Sequence, residues 1–190
     1  VGMVLFSWDN LSTKGSVHIA PDHVFVWNEI QQREAIELHG IRKKRISLTG
    51  APRFDRFIDL AVRDESKTTR AKFCQALNFE QDRPIILYLC SSKFVAADER
   101  PFIQSWIRHV RASKDPVVAS ANLLVKTHPD LTRDWRDHSE KRVSWPGVEP
   151  ALINSSLGDD HTTVLMSKFT ALQTLYECLY HSDVVVGLNT

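Results

Sequence analysis

The sequence predicts an α/β protein built from two doubly wound halves with parallel sheets, each half incomplete. Three observations carry that expectation. Residues 23–56 read as one complete strand, helix, strand and turn unit; short apolar runs recur at 85–90, 122–126 and 183–187; and each run passes directly into a loop of small or polar residues. Continuous apolar runs mark parallel strands covered on both faces, and ligands of such sheets sit at the carboxyl ends of the strands.

Taken in order, residues 1–6 form a first strand, with Ser7, Trp8, Asp9 and Asn10 as its exit loop. Residues 11–15 (LSTKG) extend the loop before a short strand-like stretch at 17–20. Two readings of this loop stand side by side. Either it offers the Asp9 carboxylate and the Lys14 ammonium to a polar ligand, or Asp9 or Asn10 closes an Asx turn with Trp8 as a hydrophobic plug.

Residues 24–27 (VFVW) give the second strand, and Asn28 ends it. The Asn28 side-chain oxygen is placed to accept from the first helical turn, with Gln31 bonding back as the reciprocal half of a capping box. The helix that follows turns Ile30, Ala35 and Leu38 to one side and stops at Gly40, which tolerates a left-handed exit. Residues 45–50 return as a strand with Ile46 and Leu48 on one face, and Thr49-Gly50-Ala51-Pro52 turns into a helix beginning near Phe54 and Phe57. That makes residues 49–55 the edge of a candidate site, or simply a tight connector.

Helices are expected at 54–62 and 66–77, separated by Arg63-Asp64-Glu65. The polar stretch 78–83 ahead of Pro84 reads as a linker, so the halves are 1–80 and 81–190. A strand at 85–90 leads into Ser91-Ser92-Lys93, and residues 101–112 form a helix with Phe102, Trp106 and Val110 in line. A strand at 122–126 ends in Thr127-His128-Pro129-Asp130; residues 143–145 suggest a short strand; residues 151–167 lack a period and read as loop. A helix at 169–180 and a buried strand at 183–187 follow, with Leu188, Asn189 and Thr190 in its exit loop.

Composition narrows the function classes. A net charge of +1 gives no support for a nucleic-acid surface. No apolar run reaches the ~18 residues of a membrane span. Three distant cysteines without CxxC spacing suit a reducing compartment, with cytoplasm the expectation, and argue against structural zinc. The chain opens inside a strand and closes at a strand's exit loop, so a fragment of a longer protein is expected.

His128 is the most informative histidine. Pro129 behind it keeps its backbone extended, which turns the imidazole toward a cleft where it can hydrogen-bond phosphate or serve as general acid or base; packing at a strand end is the alternative. Ser91 and Ser92 either bond phosphate oxygens or cap the next helix. Arg42-Lys43-Lys44-Arg45 follows a helix C-terminus, where it complements the dipole and stays solvated. His181-Ser182-Asp183 is no catalytic triad, since adjacent side chains cannot face one another. His18 and His23 lack a third metal ligand. Neither GxGxxG nor a P-loop motif is present, so no nicotinamide cofactor is expected.

Five motifs together resemble bacterial glycosyltransferases of the GT-B architecture, near the surface-polysaccharide and CDP-glycerol glycerophosphotransferase-like proteins. They are WDNLSTKG (8–15), VWNEIQQREAIELHGI (26–41), TGAPRFDRF (49–57), KTHPD (126–130) and YHSDVVVGLNT (180–190). The resemblance implies two facing Rossmann-like domains, the first taking the acceptor and the second the nucleotide-linked donor. His128 would touch the donor phosphate or assist transfer; Ser91, Ser92, Asn189 and Thr190 would border the donor pocket; Trp8, Asn10 and Lys14 would face the acceptor. Where glycerophosphotransferases carry Trp-His-Gly, this chain has Trp8-Asp9-Asn10, which speaks against glycerol-phosphate transfer and leaves Asp9 as general base. The implied reaction is metal-independent sugar transfer from a nucleotide-sugar substrate, without a cofactor, to a glycan or lipid-linked acceptor. The enzyme would be cytoplasmic, at most peripheral at the inner face of the membrane. A non-hydrolysing UDP-sugar 2-epimerase-like enzyme and a non-catalytic nucleotide-sugar-binding protein are the alternatives.

Overall fold

The computed structural model describes residues 1–62, 68–129, 141–143, 151–154, 161–166 and 172–188. The chain divides into two compact units, Val1–Val62 and Arg63–Thr190. Among the described residues no helix is long and apolar enough to cross a membrane.

The first unit holds three parallel strands, β1 (Gly2–Val4), β2 (His23–Val26) and β3 (Ile46–Leu48), in that order. Helix α1 (Glu29–Glu37) joins β2 to β3, and Leu5, Leu11, Val24, Val26, Ala35, Ile41 and Ile46 form the core. The expected cap is present: Gln31 N–H donates to Asn28 Oδ1 at 3.1 Å. Gln31 replies one residue earlier than a capping box requires, since its Oε1 accepts from Trp27 N–H at 2.8 Å. Gly40 leaves the helix at φ +64°, its N–H on Ile36 O at 3.0 Å.

Some expectations fail here for geometric reasons. The buried stripe of α1 is Gln31 and Ala35, four apart. Ile30 lies about 100° round the helix from Gln31 and is exposed, as is Leu38 at the C-cap. Leu48 is exposed although Ile46 is buried. Residues 17–20 form no strand; Val17 N–H instead donates to His39 Nδ1 at 3.2 Å, while His39 Nε2 donates to Leu11 O at 2.7 Å. After β3 a single 3-10 turn, Pro52–Phe54, opens helix α2 (Asp55–Val62).

The second unit contains a six-stranded sheet in the order β6-β7-β8-β5-β4-β9. Its strands are β4 (Ile85–Leu89), β5 (Asn122–Lys126), β6 (Lys141–Val143), β7 (Ala151–Asn154), β8 (Thr162–Met166) and β9 (Val184–Gly187). Strands β8, β5, β4 and β9 are parallel; β7 and β6 extend the far side antiparallel. Period-2 alternation sends Ile85, Leu87, Leu124 and Leu165 to one face, against Phe73, Cys74 and Leu77 of α3 (Arg70–Leu77) and Cys178 of α6 (Leu172–His181). Ile86, Tyr88, Leu123, Val125, Val164 and Met166 face the other way, against Ile103 and Ile107 of α4 (Arg100–Arg111). A short α5 (Pro116–Ala119) precedes β5. Helices on both faces of a mainly parallel sheet make this a Rossmann-like half, as the sequence predicts.

The boundary between the units falls ahead of α3, not near residue 80. Residues 78–83 are no linker. Asn78, at φ +59°, closes α3 in a Schellman arrangement, with Phe79 N–H on Cys74 O at 2.8 Å, and Phe79 is itself in the core. Asn122 clamps the stretch further, donating to Glu80 O at 2.7 Å and accepting from Glu80 N–H at 3.2 Å.

Three more corrections concern this sheet. The stretch 151–167, read as loop, carries β7 and the fully buried β8. The two threonines that disguised β8 are buried, and Thr163 Oγ1 donates to Leu77 O at 3.0 Å. Strand β9, expected to be buried, is an edge strand among the described residues, with Val184 and Val185 half exposed. On α4 the buried residues are Ile103 and Ile107; Trp106 and Val110 flank them, and Phe102 is exposed. The short strand expected at 143–145 appears as β6, two residues earlier, and residues 144–145 lie outside the described ones.

Candidate functional site

Across the sheet the four parallel strands β8, β5, β4 and β9 stand third, second, first and fourth by their order in the chain, so the direction of winding reverses between β4 and β9. A crevice is expected there, because the connections from neighbouring strands leave toward opposite faces. A cavity of about 380 Å³ occupies that position. It is lined by the ends of β4 (Leu89, Cys90, Ser91), β5 (Lys126, Thr127, His128, Pro129) and β9 (Val185, Val186, Gly187, Leu188), and by Leu175 of α6. Its walls are mainly apolar with a few polar groups, the usual make-up of a small-molecule site.

The strand ends are held tightly. Cys90 N–H donates to Lys126 O at 3.0 Å, and Thr127 N–H to Leu165 O at 3.1 Å. Gly187 stands where β9 meets β4, and a Cβ there would lie 3.1 Å from the Leu89 carbonyl oxygen. Below the β4 exit loop, Glu99 is buried at the start of α4 and accepts twice, from Ser91 N–H at 2.7 Å and from the Tyr88 hydroxyl at 3.0 Å. Ser91 Oγ is buried at the cavity, with no hydrogen-bond partner among the described residues.

Lys126 supplies the buried cation. Its side chain is 6% exposed and its Nζ donates to Thr127 O at 2.8 Å. Burial holds the ammonium below the ordinary lysine range, partly offset by the nearby thiols of Cys178 and Cys90. Burial pushes both thiols up to about 12. The Cys90 thiol also meets the backbone of His128, whose side chain is half-buried at the cavity.

In the first unit, loops from the three strand ends gather separately. Asn10 Oδ1 accepts from Phe6 N–H at 2.9 Å and Ser7 N–H at 2.7 Å, so the loop is closed by local bonds, though to residues before Asn10 rather than two residues after it as in an Asx turn. Asp9 accepts from Ser7 Oγ and, at 3.0 Å, from Lys14 Nζ; these bonds, Ser7 first, lower its pKa. Trp8 is exposed and plugs nothing; Trp27 is partly buried instead, its indole N–H on Leu5 O at 2.9 Å. Gln31 ties the loop down by donating to Ser7 O at 3.2 Å and Trp8 O at 3.3 Å. Arg53, from the turn after β3, donates to Phe6 O at 3.3 Å and lies 4.9 Å from the Phe6 ring centroid.

Of the residues singled out from sequence, the cavity brings together Ser91 and His128. Ser92 is not on its wall; its carbonyl accepts from Val95 and Ala96 N–H in a turn, and neither serine caps α4. Asn189 and Thr190 lie outside the described residues. Asp9, Asn10 and Lys14 are together in the first unit with Trp8 beside them, Lys14 being paired to Asp9. Sequence reasoning assigned no role to Lys126, Glu99 or Gly187, and gave Gln31 a capping bond but not its hold on Ser7 O and Trp8 O. The available signal was a lone charge closing the apolar run NLLVK; nothing local distinguishes Glu99 from its acidic neighbours. Among the described residues no three His, Cys, Asp or Glu side chains come together as a metal site.

Fold and cavity define an α/β protein of two Rossmann-like halves, the second bearing a small-molecule crevice at its switch point. No protein-family model matches the chain, and no curated protein matches it. Among solved structures the chain is similar to the wall teichoic acid polymerase TagF, at 15% identity and a TM-score of 0.46, over 89% of this chain and 35% of that one. The chain thus spans about a third of TagF's length, and a likeness of this size defines neither family nor activity.

Proposed function

We propose that this chain is part of a GT-B-type glycosyltransferase that moves a sugar from a nucleotide-diphosphate donor to a cell-surface polysaccharide or related acceptor. The observation that carries the reading is the convergence of Ser91, Lys126 and His128 on a cavity at the switch point of the second sheet. The motif resemblance assigns that half to the donor and the first half, with Trp8, Asp9, Asn10 and Lys14, to the acceptor.

In the transfer step an acceptor hydroxyl oxygen bonds to the anomeric carbon, the bond from that carbon to the diphosphate breaks, and the nucleoside diphosphate leaves. Negative charge grows on the departing oxygen, so preorganised donors at the cavity lower the barrier. His128 and Ser91 serve there, and the motif resemblance adds Asn189 and Thr190 to the same donor. Asp9 takes the acceptor proton once the acceptor displaces Lys14, because the Ser7 and Lys14 bonds otherwise depress its basicity. Three free, buried cysteines suit a cytoplasmic enzyme, at most peripheral at the inner face of the membrane.

Calorimetric titration with UDP, CDP and GDP tests the reading, with His128→Ala as the paired variant. One nucleotide binding preferentially, and more weakly to the variant, supports it and names the base. Absence of binding to all three by the folded protein overturns it.

A further inference from the structure

Lys126 closes β5 two residues beyond core Leu124, on the same face of the strand. Among the described residues its ammonium has one hydrogen-bond acceptor, Thr127 O, so two of its three N–H donors have no protein partner. No carboxylate among the described residues pairs with it. The ionisable groups near it are Cys90 just beyond β4 and Cys178 from α6, both neutral thiols, and His128 on the same cavity wall, while β8 and β9 contain no ionisable residue. Burying an unpaired ammonium is costly, and a compensating partner must come from elsewhere. Ser91 Oγ, on the wall of the same cavity, likewise lacks a partner among the described residues.

We propose that Lys126 makes this cavity select a phosphate-bearing anion, its free N–H groups and the Ser91 hydroxyl donating to phosphate oxygens. The proposal rests on the donor-cavity reading and narrows it: charge on the diphosphate, more than base or sugar, supplies the affinity. An anion beside the ammonium restores the stability of its charged form, which burial alone depresses. Binding therefore weakens as pH rises toward the titration of Lys126 in the empty cavity, and this loss sets in below the ordinary lysine range.

The test is calorimetry with inorganic pyrophosphate, then UDP, on the wild-type chain, Lys126→Met and Lys126→Arg, with thermal unfolding of each. Lys126→Met replaces an unpaired buried charge by an apolar chain of similar length, so its unfolding midpoint is expected at or above wild type. Its affinity for pyrophosphate is expected to fall at least about tenfold, with Lys126→Arg retaining part of it. Wild-type affinity falls with rising pH more steeply than that of the Met variant, in which His128 still lines the cavity. Pyrophosphate binding to Lys126→Met as tight as to wild type overturns the proposal, and so does no pyrophosphate binding by the wild type. If the Met variant proves unstable, a flat wild-type pH profile overturns it. Lys126-dependent pyrophosphate binding with no extra affinity for UDP, CDP or GDP upholds Lys126 and removes the nucleotide-sugar reading.

Discussion

The backbone N–H of Ser91 donates to Glu99 Oε2 at 2.7 Å, across the loop that leads from β4 to α4. The other carboxylate oxygen takes the Tyr88 hydroxyl, so one buried side chain holds both Tyr88 near the end of the strand and Ser91 in the loop after it. Burial and the Glu99 carboxylate push the Tyr88 phenol up, keeping it a donor. Glu99→Ala orphans both donors inside the protein and is expected to cost roughly 3 kcal/mol in urea unfolding. The cavity should suffer beyond stability: at temperatures where the variant is folded, nucleotide affinity falls because Ser91 is no longer fixed.

Gln31 performs the matching task in the first unit. It is 2% exposed, and its amide serves Trp27 N–H, Ser7 O and Trp8 O at once. Gln31→Leu keeps the bulk and removes these bonds, for an expected loss of about 2 kcal/mol. Hydrogen exchange should speed up in residues 7–10 before it does in β2.

Asp9 titrates below its ordinary value of 3.8, with Ser7 the largest cause and Lys14 the next. Its folded pKa is depressed, so whatever it adds to stability is present above the unfolded value and lost as pH falls through the folded one. NMR titration of the Asp9 carboxyl carbon should show Ser7→Ala moving the midpoint upward further than Lys14→Met. The reverse order would make the ion pair the dominant influence.

Cys90 and Cys178 titrate near 12 against an ordinary 9.0. A raised thiol pKa favours the folded state below the unfolded value, so this contribution is complete below about pH 9 and disappears between there and 12. Stability should decline over that alkaline range, and a double Cys→Ala variant should decline less. Disulfide-exchange reagents at neutral pH should label the fully buried Cys178 only at the rate of unfolding.

Local signals were enough to read the first βαβ unit. Asn28, Gln31 and Gly40 act within a few residues of themselves, so cap and exit are written into adjacent positions. The runs IILYL and NLLVK were equally legible, since both faces of a central parallel strand must be apolar. Strand β8 was not, because TTVLM shows its fitness only when Leu77 O meets the Thr163 hydroxyl. Residues 78–83 looked like a linker for a related reason: Asn122, some forty positions away, satisfies their backbone.

The sequence by itself determined the α/β class, most strand and helix positions, and two members of the cavity wall, Ser91 and His128. Hydrophobic period and capping chemistry are local properties, and they persist whatever the chain packs against. Only the tertiary structure decided the order of the strands, and with it where the winding reverses and which strand ends share a crevice. It also decided that Lys126 is buried beside two neutral thiols and that Glu99 is buried beneath Ser91. Desolvation and pairing depend on neighbours brought from distant positions, so the electrostatic character of the site exists only once the sheet has formed.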